Sequence, residues 1–513
     1  MSQQESFRET IQRDYTFTGP SVPLGAAMLD GTPLTNCLVN VPLKTLNRHG
    51  LIAGATGTGK TKTLQLLSES LSAQGVPVLL MDIKGDLSGL AQPSEGHAKI
   101  DERHEKIGLP FVPSGFPVEL LTISQDEGVR LRATVSEFGP VLLSKILGLN
   151  DTQSGIVSLI FKYCDDQNLL LLDLKDFKKV LQYANEEGRE EIQKEYGLIS
   201  SSSVGAISRK VIELEQQGAD RFFGERSFDP EDLLRTDEQG RGYLSILRLT
   251  DIQDRPKLFS TFMLCLLAEV YATFPEAGDQ EKPKLVIFID EAHLLFDQAS
   301  DALLDQLESI IKLIRSKGVG IFFCTQLPTD IPEAVLSQLG LKVQHALRAF
   351  TAKDRKNIKL AAENFPLTDY YDTAETLTQL GIGEALVTVL NEKGVPTSLV
   401  HTLLCAPRSR MDVLTGPELS QLMSQSQIAQ EYNQDIDRES AYEVLTAKLL
   451  AAEQADAPPA PEMEKTVRRR RQEDPGFLTE LSKNTMVRQL GRTIVRELTR
   501  SLLGVLGVKK RRR

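Results

Sequence analysis

The chain has 513 residues, 41% of them hydrophobic and 25% charged, the composition of an ordinary globular protein with room for two to four domains at roughly 150 residues each. No stretch approaches the ~20 uninterrupted apolar residues that a membrane helix needs, and the polar amino terminus lacks a signal-peptide core. Stable membrane insertion is therefore not expected, and a cytoplasmic location is. Five scattered cysteines without a CxxC pair, and six dispersed histidines, argue against a disulfide or zinc framework.

The net charge of −11 hides an asymmetry, because Glu464 to Arg513 hold fifteen Lys and Arg against five Asp and Glu. An acidic body carries a basic tail, a pattern that often marks an interaction arm.

Residues 1–40 read as an irregular amino-terminal extension with several Gly, Pro and Thr turn formers. A first part of an α/β core follows over 41–130. It has an apolar strand at 51–53, a glycine-rich loop, a helix at 61–73 and a buried strand at 78–81 ending in Asp82. Apolar spacing over 131–235 is helical with few strand signals, which predicts a helical insertion. The core resumes over 236–405, with strands at 243–249, 285–289, 319–324, 341–345 and 384–390 and helices at 258–273 and 303–316. Alternating strands and helices predict a mainly parallel sheet covered on both faces. A helical segment at 406–450, a linker at 451–475 and a basic helical tail at 476–513 complete the chain.

The loop Gly54-Ala55-Thr56-Gly57-Thr58-Gly59-Lys60-Thr61 matches GxxxxGK[ST] in full, between a strand and a helix. Such glycines let backbone N–H groups close around the phosphates of ATP, and the helix amino terminus adds its positive dipole end. Lys60 then reaches the β and γ phosphates, and Thr61 offers a hydroxyl to Mg²⁺. Asp290 and Glu291 end the apolar strand LVIFI, at the edge where open α/β sheets bind ligands. Asp290 is expected to hold the magnesium through water and Glu291 to polarise the attacking water.

Gln326 ends the next strand, where an amide can sense the γ phosphate. Arg315, and secondarily Arg348, are candidate arginines for a neighbouring subunit's site, which requires an oligomer. Asp82, Lys84 and Asp86 form a charged cluster at a strand end, read either as a ligand contact or as a solvated turn.

RHGLIAGATGTGKT, MDIKGDLSGL, DEAHLLF and LIRSKGVGIFFCTQLPTDIP together resemble the HerA/FtsK superfamily of P-loop ATPases, closest to a bacterial HerA-like helicase branch. The resemblance runs from about Leu24 to Leu445. It implies a RecA-like P-loop NTPase core with the strand before Gln326 between the strands before Gly54 and Asp290. It further implies a hexameric homo-oligomer, ATP at subunit interfaces, DNA as partner, and a nuclease or another protein as a further partner. The expected activity is that of a DNA translocase or helicase. The alternative is a non-motor P-loop ATPase that regulates assembly of a protein partner.

In the tail, Arg488, Arg492, Arg496 and Arg500 recur every four residues, with Leu490, Ile494, Leu498, Leu502 and Leu506 opposite. Such a helix suits DNA phosphates, an anionic membrane surface or the acidic body of a neighbouring subunit, or is a solvated face on a helix that packs within its own chain.

Overall fold

A computed structural model describes residues 2–124, 126–251, 255–297, 301–434, 436 and 438–456. The basic tail and most of the linker lie outside them. Contacts divide the chain into two units, one of Met1–Ala133 with Gln216–Asp435, the other of Thr134–Glu215 with Ile436–Arg513.

The first unit is built on one twelve-stranded sheet. Its strands are β1 (Ser21–Leu29), β2 (Thr32–Pro42), β3 (Gly50–Ala53), β4 (Val78–Asp82), β5 (Val118–Thr122), β6 (Val129–Arg130), β7 (Leu244–Arg248), β8 (Leu285–Ile289), β9 (Val319–Thr325), β10 (Leu341–Gln344), β11 (Glu384–Thr388) and β12 (Val400–Leu404). They lie in the order β2-β1-β12-β11-β10-β3-β9-β8-β4-β7-β5-β6. From β10 to β6 every pairing is parallel; from β10 back to β2 every pairing is antiparallel. Strands β3, β4, β8 and β9 are buried along their whole length, as continuous apolar runs in a two-sided parallel sheet require. Strand β9 lies between β3 and β8, the RecA-like order that the resemblance implies.

The amino-terminal residues are not irregular. Ser2 and Glu5 close a capping box on a helix at Gln3–Tyr15, whose Phe7, Ile11 and Tyr15 are fully buried at a spacing of four. Strands β1 and β2 then form a hairpin across Asp30 and Gly31, both at positive φ (48° and 72°), as a two-residue type I′ turn demands. The hairpin joins the sheet through β12, with Gly25 opposite Leu404. A Cβ on Gly25 would lie 2.0 Å from the Leu403 carbonyl oxygen, so this contact needs glycine.

The second unit is helical among its described residues, with helices at Val135–Ile146, Asp151–Asp166, Leu174–Asn185, Arg189–Tyr196, Ser201–Gln216 and Ala441–Asp456. Buried Phe161, Phe177, Val180 and Leu181 form its interior. Asp176 accepts from the backbone of Leu172 (2.8 Å) and Tyr442 (3.0 Å), which ties the last of these helices to the rest. Ala451–Asp456, expected as linker, extend that helix because AAEQA is rich in helix formers. Residues 216–235, expected with the insertion, belong to the first unit.

Candidate active site

The phosphate loop leaves β3 and is fastened to both neighbouring strands. Gly54 N–H donates to Thr325 O (3.2 Å) at the end of β9, and Ala55 N–H to Ala346 O (2.8 Å) beyond β10. Gly54, Gly57 and Gly59 all have positive φ (154°, 77° and 113°). At Gly54 a Cβ would also lie 2.5 Å from the His345 Cβ. A Cβ is therefore blocked at Gly54, and a side chain at Gly57 or Gly59 would strain the backbone. The Thr58 hydroxyl donates to Ala55 O (2.7 Å), and helix Lys60–Ala73 begins directly afterwards. Thr56 and Gly57 are exposed at the tip, while Thr61 is half-buried at the start of the helix.

Lys60 is buried, and its ammonium donates to Gly54 O (2.7 Å) and Ala55 O (3.1 Å). Burial lowers its pKa and nearby Lys84 lowers it further, while Glu291 and Asp290 raise it. The lysine and the acidic pair thus share one electrostatic field. They are separated by one strand, roughly 10 Å across the sheet.

Asp290 is 3% exposed, and burial pushes its carboxyl up while Lys84 pulls it down. Glu291 has φ 45°, the left-handed region that a non-glycine residue seldom occupies. Lys84 bridges the pair, with Nζ 2.6 Å from Glu291 Oε1 and 3.1 Å from Asp290 Oδ2. Glu291 Oε2 is buried without a hydrogen bond, and His293 Nδ1 lies 3.4 Å from it. His293 itself starts a short helix, His293–Phe296.

Lys84 is aimed by Asp82. The Asp82 carboxylate accepts from the backbone N–H groups of Gly85 (2.7 Å), Asp86 (3.2 Å) and Leu87 (3.2 Å). Its pKa is pushed up to about 6, mainly by burial. The cluster at 82–86 is therefore an organised loop, with Asp82 as scaffold and Lys84 as counter-ion to Asp290 and Glu291.

Gln326 is exposed at the end of β9, one residue beyond the Thr325 carbonyl that holds the phosphate loop. Asp330 organises this corner, accepting from Thr325 Oγ1 (2.6 Å) and Leu327 N–H (2.9 Å).

The two arginines are not brought to this site. Arg315 follows helix Asp301–Ile314 and precedes β9, at the amino edge of the sheet, about 20 Å of strand from the phosphate loop. It is exposed, and burial and Arg48 both lower its pKa. Arg348 is committed within its own chain, donating to Thr378 O (2.8 Å) and Leu380 O (3.4 Å) at the end of helix Thr373–Gln379. That is a helix C-cap.

Sequence reasoning missed three supports. His345 lies beneath the loop with Nε2 2.9 Å from Thr63 Oγ1. Gly383 N–H donates to Thr58 O (3.2 Å) from a turn before β11. Glu69, fully buried in the helix after the loop, accepts from Arg408 N–H (2.7 Å), Ser409 N–H (3.1 Å) and Ser409 Oγ (2.9 Å). Each partner comes from a remote segment, so nothing local signals the contact.

The site's frame needs two neutral imidazoles. Ile321 N–H donates to His49 Nδ1 (3.0 Å), so the proton sits on Nε2, which donates to Ile311 O (2.8 Å). Burial pushes both His49 and His345 down to about 4. A pKa depressed in the folded state contributes stability above the unfolded value near 6.5 and loses it as pH falls toward 4. Asp82, pushed up to about 6, acts in the opposite sense over part of that window. Buried Glu69 and Asp290 are also raised and oppose the imidazoles as Asp82 does, so the readout is the rings themselves: by NMR both imidazoles should stay neutral from about pH 7 down to about pH 5. Titration of either ring near the ordinary value of about 6.5 in the folded protein would show that burial does not hold it neutral.

The glycine cradle, Lys60, the Thr61 hydroxyl and the unsatisfied Glu291 oxygen fit a magnesium–triphosphate. Among the described residues no group of three or more His, Cys, Asp or Glu could form an all-protein metal cage. A magnesium held by one carboxylate, one hydroxyl and phosphate oxygens requires none.

The family model for the C-terminal region of HerA-like helicases matches residues 29–512. The chain is 23% identical over 359 residues to the DNA double-strand break repair helicase HerA of Sulfolobus acidocaldarius, a match covering 69% of this chain and 64% of that protein. It is 24% identical over 351 residues to the DNA import protein CedB of the same organism, covering 68% and 51%. The chain thus spans less than two thirds of the length of these curated relatives. Among solved structures it is similar to the bacterial conjugative coupling protein TrwB, with TM-score 0.49 and 14% identity, covering 79% of this chain and 94% of that one.

Proposed function

Because the chain belongs to the HerA-like helicase C-terminal family, we propose that it is an ATP-hydrolysing motor that works on DNA as a homo-oligomeric ring. The observation that carries this reading is the placing of the glycine cradle and the Asp290–Glu291 pair at one sheet edge, with β9 between them. In the reading, the backbone of Gly54–Gly59 and the Lys60 ammonium bind the phosphates of ATP. Magnesium, held by Thr61 and Asp290, would neutralise charge between the β and γ phosphates. Glu291 draws a proton from the attacking water, and Gln326 orients that water. Arg315, exposed at the far edge of its own sheet, serves a neighbouring subunit's site.

ATP turnover measured against DNA form and length, with oligomer mass determined alongside, tests the proposal. Turnover should rise several-fold with DNA in a particle of several subunits. Turnover indifferent to every DNA form would favour an ATPase that regulates assembly of a protein partner.

A further inference from the structure

Between β10 and β11 the chain builds a small helical module at the phosphate-loop end of the sheet. Ala346, which accepts from the loop's Ala55, leads within six residues into helix Ala352–Glu363. The module has its own core of Ala346, Leu347, Ile358, Ala361, Phe365 and Leu377. Outside that core the helix is basic. Lys353, Arg355, Lys356 and Lys359 are all exposed, and none of their side chains makes a hydrogen bond or an ion pair among the described residues. At 100° per residue the four span an arc of about 160°.

The acids nearby offset this arc only in part, since Asp354 keeps its charge beside Lys353 and leaves a net +3 over Lys353–Lys359. Asp354 is spent on the helix start, where it accepts from Phe350 N–H (2.9 Å) and Thr351 N–H (2.8 Å), which holds its carboxyl below the usual range. Glu363 lies at the far end of the helix. On a chain of net charge −11, four unpaired cations within seven residues make a local positive surface that calls for an anionic partner.

We infer that the exposed face of helix Ala352–Glu363 grips the phosphate backbone of DNA. This assignment rests on the DNA-motor reading above. Three of the four cations are lysines, which are depleted in protein–protein interfaces. As mobile point charges they suit sequence-independent phosphate contact. The span from Lys353 to Lys359 is about 9 Å of helix rise, enough for their long side chains to meet two to four phosphates. The hydrogen bond from Ala55 to Ala346 places this grip one short segment from the nucleotide loop, the arrangement a motor needs to couple nucleotide state to hold and release.

The test replaces Lys353, Arg355, Lys356 and Lys359 together by alanine in the full chain; alanine preserves helix propensity. Anisotropy of a labelled 30-nucleotide strand and of a 30-base-pair duplex gives affinity from 50 to 200 mM salt. Turnover without DNA and oligomer mass are measured on the same samples. The variant should bind duplex at least tenfold more weakly at 50 mM salt, with a log–log salt slope shallower by about two or more. Turnover without DNA and oligomer mass should not change. Equal affinities and slopes in variant and parent would overturn the assignment, leaving the motor reading intact. So would a fall in oligomer mass, which would make the face a contact with a second copy. If the parent itself binds no DNA, the motor reading fails and this assignment falls with it.

Discussion

Glu291→Gln should retain ATP and lose hydrolysis by about 10²–10⁴-fold, the usual contribution of a positioned general base. The substitution keeps the volume and one oxygen acceptor but removes the negative charge. Binding should survive, because the phosphate grip comes from the Gly54–Gly59 backbone and from Lys60, which are fastened to β9 and β10 independently of Glu291. Lys84 would keep Asp290 as partner at 3.1 Å. Nucleotide affinity from a fluorescent ATP analogue, set against single-turnover hydrolysis, separates the two effects. Hydrolysis at the parent's rate would remove Glu291 from the chemistry. Loss of nucleotide binding as well would mean that the acidic pair shapes the loop.

Lys84→Met should destabilise the protein in magnesium-free buffer, and magnesium with nucleotide should restore much of the loss. Two carboxylates, one nearly buried, now share a single ammonium at 2.6 and 3.1 Å. Removing one member of a buried pair typically costs ~3–5 kcal/mol. Lys84 is 36% exposed, so solvent screening reduces the expected cost to about 2–4 kcal/mol. A drop of several degrees in the melting temperature follows. The double variant Lys84→Met/Asp290→Asn should melt closer to the parent, since it removes the more deeply buried of the two carboxylate charges and leaves only Glu291 without the lysine. If Lys84→Met melts like the parent without magnesium, the bridge contributes nothing to stability. Failure of the double variant to recover would place the cost in lost side-chain packing instead.

The phosphate loop and the acidic pair were legible because each is a local pattern: glycines at fixed spacing between a strand and a helix, and carboxylates after an apolar strand. The amino-terminal hairpin was equally local in its Asp30-Gly31 turn, with Ser2 and Glu5 signalling the preceding helix. Its Gly, Pro and Thr residues equally suit loops, and only the alternation around the turn distinguishes the hairpin. Arg348 carried no local sign of its role, since the carbonyls it caps lie thirty residues on.

What the sequence by itself determined was the strands that carry the phosphate loop, Asp82, the acidic pair and Gln326, and which residues stand at their carboxyl ends; strands β5, β6 and β12 were not legible in it. The legible strands follow from hydrophobic period and turn chemistry acting over a few residues. Only the tertiary structure decided what surrounds those ends: Lys84 across Asp290 and Glu291, His345 under Gly54, Glu69 holding Ser409, and Arg315 at the opposite edge of the sheet. Strand order produces these neighbours, and it results from burying the apolar faces of many segments at once. No single stretch of chain contains that information.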